Sequence, residues 1–109
     1  MTTIDDFHKL DIRVGKIVHV DEFPEARMPA FKLSIDFGEL GVKQSSAQLT
    51  ELYKKEELVG RQVIAIVNFP PRKVANFNSE VLVLGAVSDK HGTILLKPER
   101  DAVLGDKIE

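Results

Sequence analysis

The chain has no cysteine among its 109 residues. This excludes disulfides, thiolate nucleophiles and thiolate metal ligands, and it fits a reducing compartment, so we expect a cytoplasmic protein. No apolar run approaches the roughly 20 residues that span a bilayer, and we expect no membrane insertion. The segment MTTIDDFHKL (1–10) is acidic and lacks the apolar core of a secretory signal, so secretion is not expected either.

Positive charge is also scarce. Lys and Arg number 15 against 17 Asp and Glu, which gives a formal net charge of −2. Because nucleic-acid affinity comes largely from neutralising phosphates, this balance argues against strong non-specific nucleic-acid binding by the whole chain. The local distribution differs, because residues 58–79 contain no acidic residue but hold Arg61, Arg72 and Lys73.

Catalytic motifs are missing as well. The three histidines, His8, His19 and His91, are scattered, and no nucleophile elbow, phosphate-binding loop or dinucleotide fingerprint occurs. His19 lies near Asp21 and Glu22 in the sequence, which is either a weak metal cluster or, more simply, a solvated strand end. We therefore expect no catalytic residue, no resident metal and no cofactor.

Two segments alternate apolar and polar residues with the period of two that indicates strands. Their apolar positions are Ile12, Val14, Val18 and Val20 in the first, and Phe31, Leu33, Ile35 and Phe37 in the second. Gly15 inside the first predicts a bend or a close backbone approach. The unbroken apolar runs 63–67 and 81–84 predict two further buried strands.

A short strand at 42–45 and a helix at 46–59 complete the predicted elements. Ser45 and Gln48 have the spacing of a capping box, and Gly60 is placed to end the helix. The order of three strands, one helix and two strands predicts a mostly β chain. We expect one domain (1–109) with a five-stranded OB-fold barrel and its helix between strands three and four.

The runs 63–67 and 81–84 are apolar on both faces, although a small barrel buries only one face of each strand. Side chains such as Ile64, Ile66, Leu82 and Leu84 would then lie outside. Exposed apolar surface of this kind marks an interface, and we expect terminal extensions that form a homodimer. The alternative is that terminal segments cover these faces within one chain.

The connector NFPPRKVANFNSE (68–80) is the strongest candidate for ligand contact, because it combines cations, amides, prolines and aromatic rings. Together with KQSSAQ (43–48) it offers groups that can bind RNA phosphates or exposed bases. The candidate RNA-binding residues are Lys43, Gln44, Ser45, Ser46, Arg72, Lys73, Asn76 and Ser79. The candidate peptide-binding residues are Phe69, Pro70, Pro71, Val74 and Phe77. Alternatively, Ser45 or Ser46 caps the helix, and the rings pack into the core or the dimer interface.

The stretches DFHKLDIRVGKI, EFPEAR, KQSSAQLTELY and LVGRQVIAIVNFPPRKVANFNSEVLVLG closely resemble the CsaA family, and the resemblance covers nearly the whole chain. It implies an OB-fold homodimer. It also implies an ATP-independent, export-related chaperone that holds unfolded or precursor polypeptides, with the export machinery as a further partner. More widely, the chain is similar to free-standing tRNA-binding domains, which implies structure-specific tRNA binding as the alternative function.

The resemblance also bears on single residues. Arg72, Lys73 and Ser79 match positions associated with RNA contact, and residues 69–71 match an apolar surface proposed for peptides. Residues 44–47 depart from the I-V-S-G of synthetase-appended domains, which puts their mode of tRNA binding in doubt. Asn76 stands where relatives commonly have glycine, so we expect a positive φ there.

Overall fold

The computed structural model describes residues 1–90 and 92–109, and most of its regular structure is β. The strands are β1 (Ile12–Glu22), β2 (Phe31–Asp36), β3 (Val42–Ala47), β4 (Gln62–Ile66), β5 (Arg72–Val74), β6 (Phe77–Ser79), β7 (Leu82–Val83), β8 (Gly85–Ser88) and β9 (Gly92–Leu95). The helices are α1 (Ile4–His8) and α2 (Lys55–Leu58), with a 3₁₀ turn at Gly38–Leu40. The prediction of a mostly β chain with few helices is confirmed. His91, one of the three histidines considered above, lies outside the described residues.

Five antiparallel strands form the main sheet in the order β3-β2-β1-β4-β7. The two ends of the sheet approach each other beside β3. The Glu80 N–H donates to the Gln44 carbonyl at 2.8 Å, and the Ser45 hydroxyl donates to the Val81 carbonyl at 2.9 Å. These bonds join the two ends of the sheet, which thereby forms a five-stranded, nearly closed barrel. The predicted barrel is confirmed.

The barrel interior is filled mainly by β2 and its neighbours. Phe31, Leu33, Ile35 and Phe37 are all buried, so the predicted alternation of this strand is confirmed. Apolar side chains from β1, β4 and α2 pack against them in one cluster, whose members include Ile17, Val63 and Leu58. Burial of these side chains is the main source of stability for a chain without disulfides.

Strand β1 does not keep a period of two. Its register against β2 shifts between Ile17 and His19, which is a β-bulge. Because a bulge inserts one residue, it turns the following side chains to the other face. Ile17 lies in the core before the bulge and Val20 lies in the core after it, whereas Ile12 and Val14 are outside the core cluster and Val18 is exposed. The prediction that Ile12, Val14, Val18 and Val20 share one face is therefore wrong.

The first residues of β1 pair with the C-terminal segment. The Gly105 N–H donates to the Val14 carbonyl at 2.8 Å, and the Ile108 N–H donates to the Ile12 carbonyl at 2.8 Å. Ile12 and Val14 are both buried. A terminal segment thus covers part of the barrel within one chain, which is the alternative that the sequence left open for the outer apolar faces.

The outer faces of β4 and β7 are only partly covered. Ile66 is buried, Ile64 and Leu84 are half-buried, and Leu82 is exposed. The β8–β9 hairpin adds exposed apolar side chains, such as Val87. Within the described residues, neither helix is long or apolar enough to cross a membrane.

The predicted helix at 46–59 is wrong over most of its length. Strand β3 continues to Ala47, in register with Phe31 of β2, and only Lys55–Leu58 is helical. Ser45 does not cap a helix, because its hydroxyl donates to the Val81 carbonyl, where the two ends of the sheet meet. The short α2 begins where the Glu57 carboxylate accepts from the Lys54 N–H at 2.9 Å, and Gly60 follows it with a φ of 95°. Strand pairing here overrides a local capping pattern.

Candidate ligand-binding surface

The connector 68–80 folds largely as a second, smaller hairpin of β5 and β6. Arg72 pairs with Ser79, and Val74 pairs with Phe77, which leaves Ala75 and Asn76 as the turn. Ala75 has a φ of 51° and is the one non-glycine residue with positive φ in the described part of the chain. The prediction of positive φ at Asn76 is therefore wrong by one position: the first of the two turn residues has the positive φ, and the second does not.

Phe77 anchors this hairpin to the barrel. Its ring packs edge-on against the buried Phe23, with centroids 5.5 Å apart. The Lys32 ammonium lies 4.7 Å from the Phe23 centroid and 5.5 Å from the Phe77 centroid, a cation–π arrangement. Phe77 is half-buried by these contacts. The packing agrees with the alternative that this ring packs against its own chain, and the contact of Phe77 with a peptide stays a prediction.

Phe69, Pro70 and Pro71 are exposed at the entrance to the hairpin. Phe69 and Pro70 join Val81 and Leu82 in lining a cleft of about 280 Å³, which we call the Phe69 cleft. Its polar lining residues are Ser46, Arg72, Ser79 and Glu80. The structure thus brings together a predicted peptide-contact segment and predicted RNA-contact residues in one concave surface.

The predicted polar residues of β3 differ in accessibility. Gln44 is exposed, and Lys43 and Ser46 are half-buried. Ser45 is 1% exposed, because it points into the barrel seam. Ser79 is 6% exposed, and its hydroxyl accepts from the Ser46 N–H at 3.0 Å. The structure therefore corrects the prediction for Ser45: it closes the barrel and cannot reach a ligand in this conformation.

The remaining predicted residues lie on the hairpin. Arg72, Lys73 and Asn76 are exposed, and Val74 is half-buried. The neighbouring Asn68 has a different role. Its side-chain oxygen accepts from the Asp11 N–H and its amide nitrogen donates to the Lys9 carbonyl, both at 2.9 Å. Asn68 thereby fixes the start of the connector to the segment that precedes β1.

We expect Ser45→Ala to lower the free energy of unfolding by about 1–3 kcal/mol, because it removes the donor to a buried carbonyl. Ser46→Ala is the matched control, since it changes a half-buried neighbour whose backbone N–H keeps its bond to Ser79. Urea unfolding of both variants at one protein concentration measures the difference. Equal stability of the two variants would contradict the structural role of Ser45.

A second cleft, of about 490 Å³, adjoins the Phe69 cleft at Ser46 and Arg72, which line both, and we call it the Arg27 cleft. One wall is the loop between β1 and β2, with Arg27 and Met28, and the other wall is Arg72, Lys73 and Val74. Sequence reasoning missed Arg27 and Met28. The sequence feature that could have identified them is the loop EFPEARMP, which ends just before β2.

The possible metal cluster near His19 is reduced to a pair. His19 Nε2 lies 3.1 Å from Asp21 Oδ2, and both side chains are well exposed. Within residues 1–90 and 92–109, no group of three His, Asp or Glu side chains is placed to hold a metal ion. The pair fits the solvated strand end that the sequence favours.

Comparison with known proteins agrees with this architecture. Two solved structures cover this chain completely: the chaperone CsaA of Bacillus anthracis, 53% identical with a TM-score of 0.95, and the CsaA chaperone protein of Picrophilus torridus, 55% identical with a TM-score of 0.94. This chain in turn covers 99% and 100% of those two chains. The resemblance to CsaA proteins predicted from the sequence is confirmed.

Longer proteins match as well. The methionine–tRNA ligase of Methanococcoides burtonii is 38% identical over 108 residues, which is 99% of this chain and 16% of the ligase. The chain thus spans about one sixth of the length of that relative. The family described as "Putative tRNA binding domain" matches residues 12–107, which include all of the strands and both clefts. The chain therefore belongs to the tRNA-binding-domain family.

Proposed function

We propose that the chain is an ATP-independent molecular chaperone, a binding protein rather than an enzyme, that holds unfolded or precursor polypeptides. The observation that carries this proposal is the Phe69 cleft, an open concavity with an exposed aromatic ring at its edge. Further support comes from the similarity, over the full chain, to two structures described as CsaA chaperones.

The Phe69 cleft has features that suit an apolar polypeptide segment. Ligand sites in proteins are concave, largely apolar and equipped with a few polar groups. Phe69, Val81 and Leu82 supply the apolar lining, and Arg72 and Glu80 supply charges that can bind a peptide backbone or side chain. Pro70 and Pro71 restrict the backbone beside Phe69, which lowers the entropy cost of ordering this edge on binding.

The assembly and cellular setting belong to the same proposal. We propose a single-domain homodimer in the cytoplasm that passes precursor chains to the export machinery. Exposed apolar side chains on β7 and the β8–β9 hairpin, such as Leu82 and Val87, support an interface between copies. Sedimentation of the purified chain measures the assembly directly, and a monomer would contradict it.

We expect Phe69→Ser to weaken the binding of an apolar client peptide about tenfold, because it removes most of the exposed apolar area at the edge of the cleft. Leu40→Ser is the matched control, since Leu40 is 41% exposed and Phe69 is 42% exposed. Leu40 lies in the 3₁₀ turn and lines neither cleft. Fluorescence anisotropy with a labelled apolar peptide, and light scattering of a denatured client, measure the two variants.

Two results would count against the chaperone proposal. If the unmodified protein neither binds the peptide nor suppresses aggregation of the client, the activity itself is absent. If Phe69→Ser and Leu40→Ser behave alike while the unmodified protein holds the client, the Phe69 cleft is the wrong site. Both substitutions remove exposed apolar surface. A loss of non-specific apolar binding of the client would therefore affect both variants equally.

Structure-specific tRNA binding is the second candidate function. It is favoured by the family match over residues 12–107 and by Arg72 and Lys73, which are exposed side by side at the hairpin. Because the net charge of the chain is −2, attraction to RNA would have to come from a local group of cations. A homodimer would present four of these hairpin cations to one RNA, which is how a mildly acidic chain could neutralise several phosphates.

A further inference from the structure

The start of the connector is held mainly by one side chain. Asn68 bonds to the segment before β1 through both ends of its amide: the oxygen accepts from the Asp11 N–H and the nitrogen donates to the Lys9 carbonyl, each at 2.9 Å. The preceding Val67 N–H donates to the Asp11 carbonyl at 2.8 Å. These hydrogen bonds fix the chain immediately before Phe69.

The segment that receives these bonds is itself fixed to the barrel. The Asp11 carboxylate pairs with the Arg13 guanidinium, and both side chains are half-buried. Arg13 also donates to the Gly105 carbonyl at 3.0 Å, and within β1 it pairs with Ala65 of β4. Asn68 therefore bonds to a part of the chain that is anchored in the barrel.

The chain between Asn68 and β5 has few bonds of its own. In the part of the chain that the structure describes, residues 69–71 make no hydrogen bond through backbone or side chain, and strand pairing resumes at Arg72. The two prolines of this stretch have a fixed φ and form a stiff unit. The position of the Phe69 ring therefore depends on where Asn68 holds the backbone beside it.

This position matters to a ligand because the Phe69 ring forms the edge of the Phe69 cleft and is 42% exposed. A ring that samples several positions must be ordered when a ligand binds, and this ordering costs affinity. Asn68 is exposed and is not among the residues that line the cleft. Its bonds therefore influence the position of the ring and not the direct contact with a ligand.

We propose that Asn68 is a positioning residue of the Phe69 cleft, whose two amide hydrogen bonds hold the Phe69 ring where it contacts a polypeptide. This inference rests on the proposed chaperone function and deepens it. It makes the affinity for a client depend on residues 9–11, which lie outside the cleft. The segment before β1 thus acts as a support for the binding site.

A Phe69→Trp variant reports the position of the ring without any client. The chain has no tryptophan, so this variant has a single indole emitter. Adding Asn68→Ala to it is expected to release the ring. Because Phe69 is 42% exposed, complete release raises quenching of the emission by acrylamide by up to about twofold. Unchanged quenching would overturn the inference, since the ring would then be held by other contacts.

Binding of a client tests whether Asn68 acts through the ring. Asn68→Ala alone is expected to weaken the binding of a labelled apolar peptide about three- to tenfold, because the peptide must then order the ring. Combined with Phe69→Ser, it is expected to have no further effect, since the ring that it positions is absent. Fluorescence anisotropy measures the single and double variants. Equal losses from Asn68→Ala in both backgrounds would overturn the inference.

Asn78→Ala is the matched control, because it makes the same substitution in the same connector. Asn78 is an exposed residue of β6 and does not line the Phe69 cleft. Its acrylamide quenching in the Phe69→Trp background and its peptide affinity are expected to equal those of the parent proteins. If Asn68→Ala and Asn78→Ala give the same quenching, the hydrogen bonds of Asn68 do not hold the ring.

Failure of this inference can be distinguished from failure of the chaperone proposal. If the unmodified protein binds no peptide, the chaperone proposal and the role of Asn68 in client binding are both refuted. If it binds the peptide and Asn68→Ala leaves the affinity unchanged, the chaperone proposal stands and the inference alone is refuted. Urea unfolding of each variant verifies that the fold stays intact, as expected for substitutions at exposed residues.

Discussion

Replacing Arg72 and Lys73 together by glutamate is expected to weaken tRNA binding at 100 mM salt about 100-fold or more. Each lost phosphate contact lowers the salt slope by about 0.9, and the new carboxylates repel the phosphates that the cations attracted. In a homodimer the change reverses four charges at one ligand. Both side chains are exposed, so the fold is expected to remain intact. Anisotropy with unfractionated tRNA across a salt series measures both the affinity and the slope.

The control for this variant reverses two other cations. Lys97 and Arg100 are exposed and line a cleft beside α2, so Lys97→Glu with Arg100→Glu makes the same change in net charge away from the hairpin. Equal loss of tRNA binding in both double variants would mean that total charge, and not the hairpin, governs binding. Intact holding of a denatured client by the Arg72, Lys73 variant would show that RNA and polypeptide use different surfaces.

Arg72 links the two proposed ligands. It lines both the Phe69 cleft and the Arg27 cleft, as Ser46 does, so the two clefts adjoin at these residues. A ligand in either cleft would therefore lie beside the same guanidinium. Contacts among Phe77, Phe23 and Lys32 hold the hairpin against the barrel. The mixed composition of the connector 68–80 thus corresponds to two adjoining clefts with different linings.

The parts of the fold that depend on local pattern were predictable. The alternation of Phe31, Leu33, Ile35 and Phe37 identifies β2, because a period of two is a property of the strand itself. The close approach at Gly15 was also expected from a glycine within a strand. These features depend on residues that are neighbours in the sequence, and single-sequence reasoning is adequate for them.

The errors concern features that depend on distant segments. Ser45 has the sequence spacing of a helix cap. Its hydroxyl instead bonds to the Val81 carbonyl, because closure of the barrel places Val81 beside it. Ile17 and Val20 both enter the core because a bulge forms between them where β1 meets β2. The meeting of Arg27 with Arg72 likewise depends on the position of the hairpin over β3. A local sequence pattern cannot predict these contacts between segments that are distant in the sequence.

Gly15→Val is expected to lower the free energy of unfolding by about 3 kcal/mol or more, through overpacking of the core. A Cβ at Gly15 would lie 2.5 Å from Ile35 Cγ2 and 2.7 Å from Cε1 of the Phe37 ring, and both neighbours are fully buried. Valine favours strands, so local preference alone predicts a gain in stability. The sign of the change therefore separates packing from propensity. Urea unfolding at one protein concentration measures it, since dimer formation would make stability depend on concentration.

Lys16→Val is the control for strand preference, because Lys16 is the next residue of β1 and is exposed. Its stability is expected to stay within about 0.5 kcal/mol of the unmodified protein. A second test makes the side chain beside the substituted glycine smaller. If the crowding at Phe37 is the cause, Gly15→Ala combined with Phe37→Leu is more stable than the sum of the single changes predicts, by about 1 kcal/mol. Strict additivity of the two changes, or a Gly15→Val variant as stable as Lys16→Val, would show that the barrel accommodates a side chain at this position.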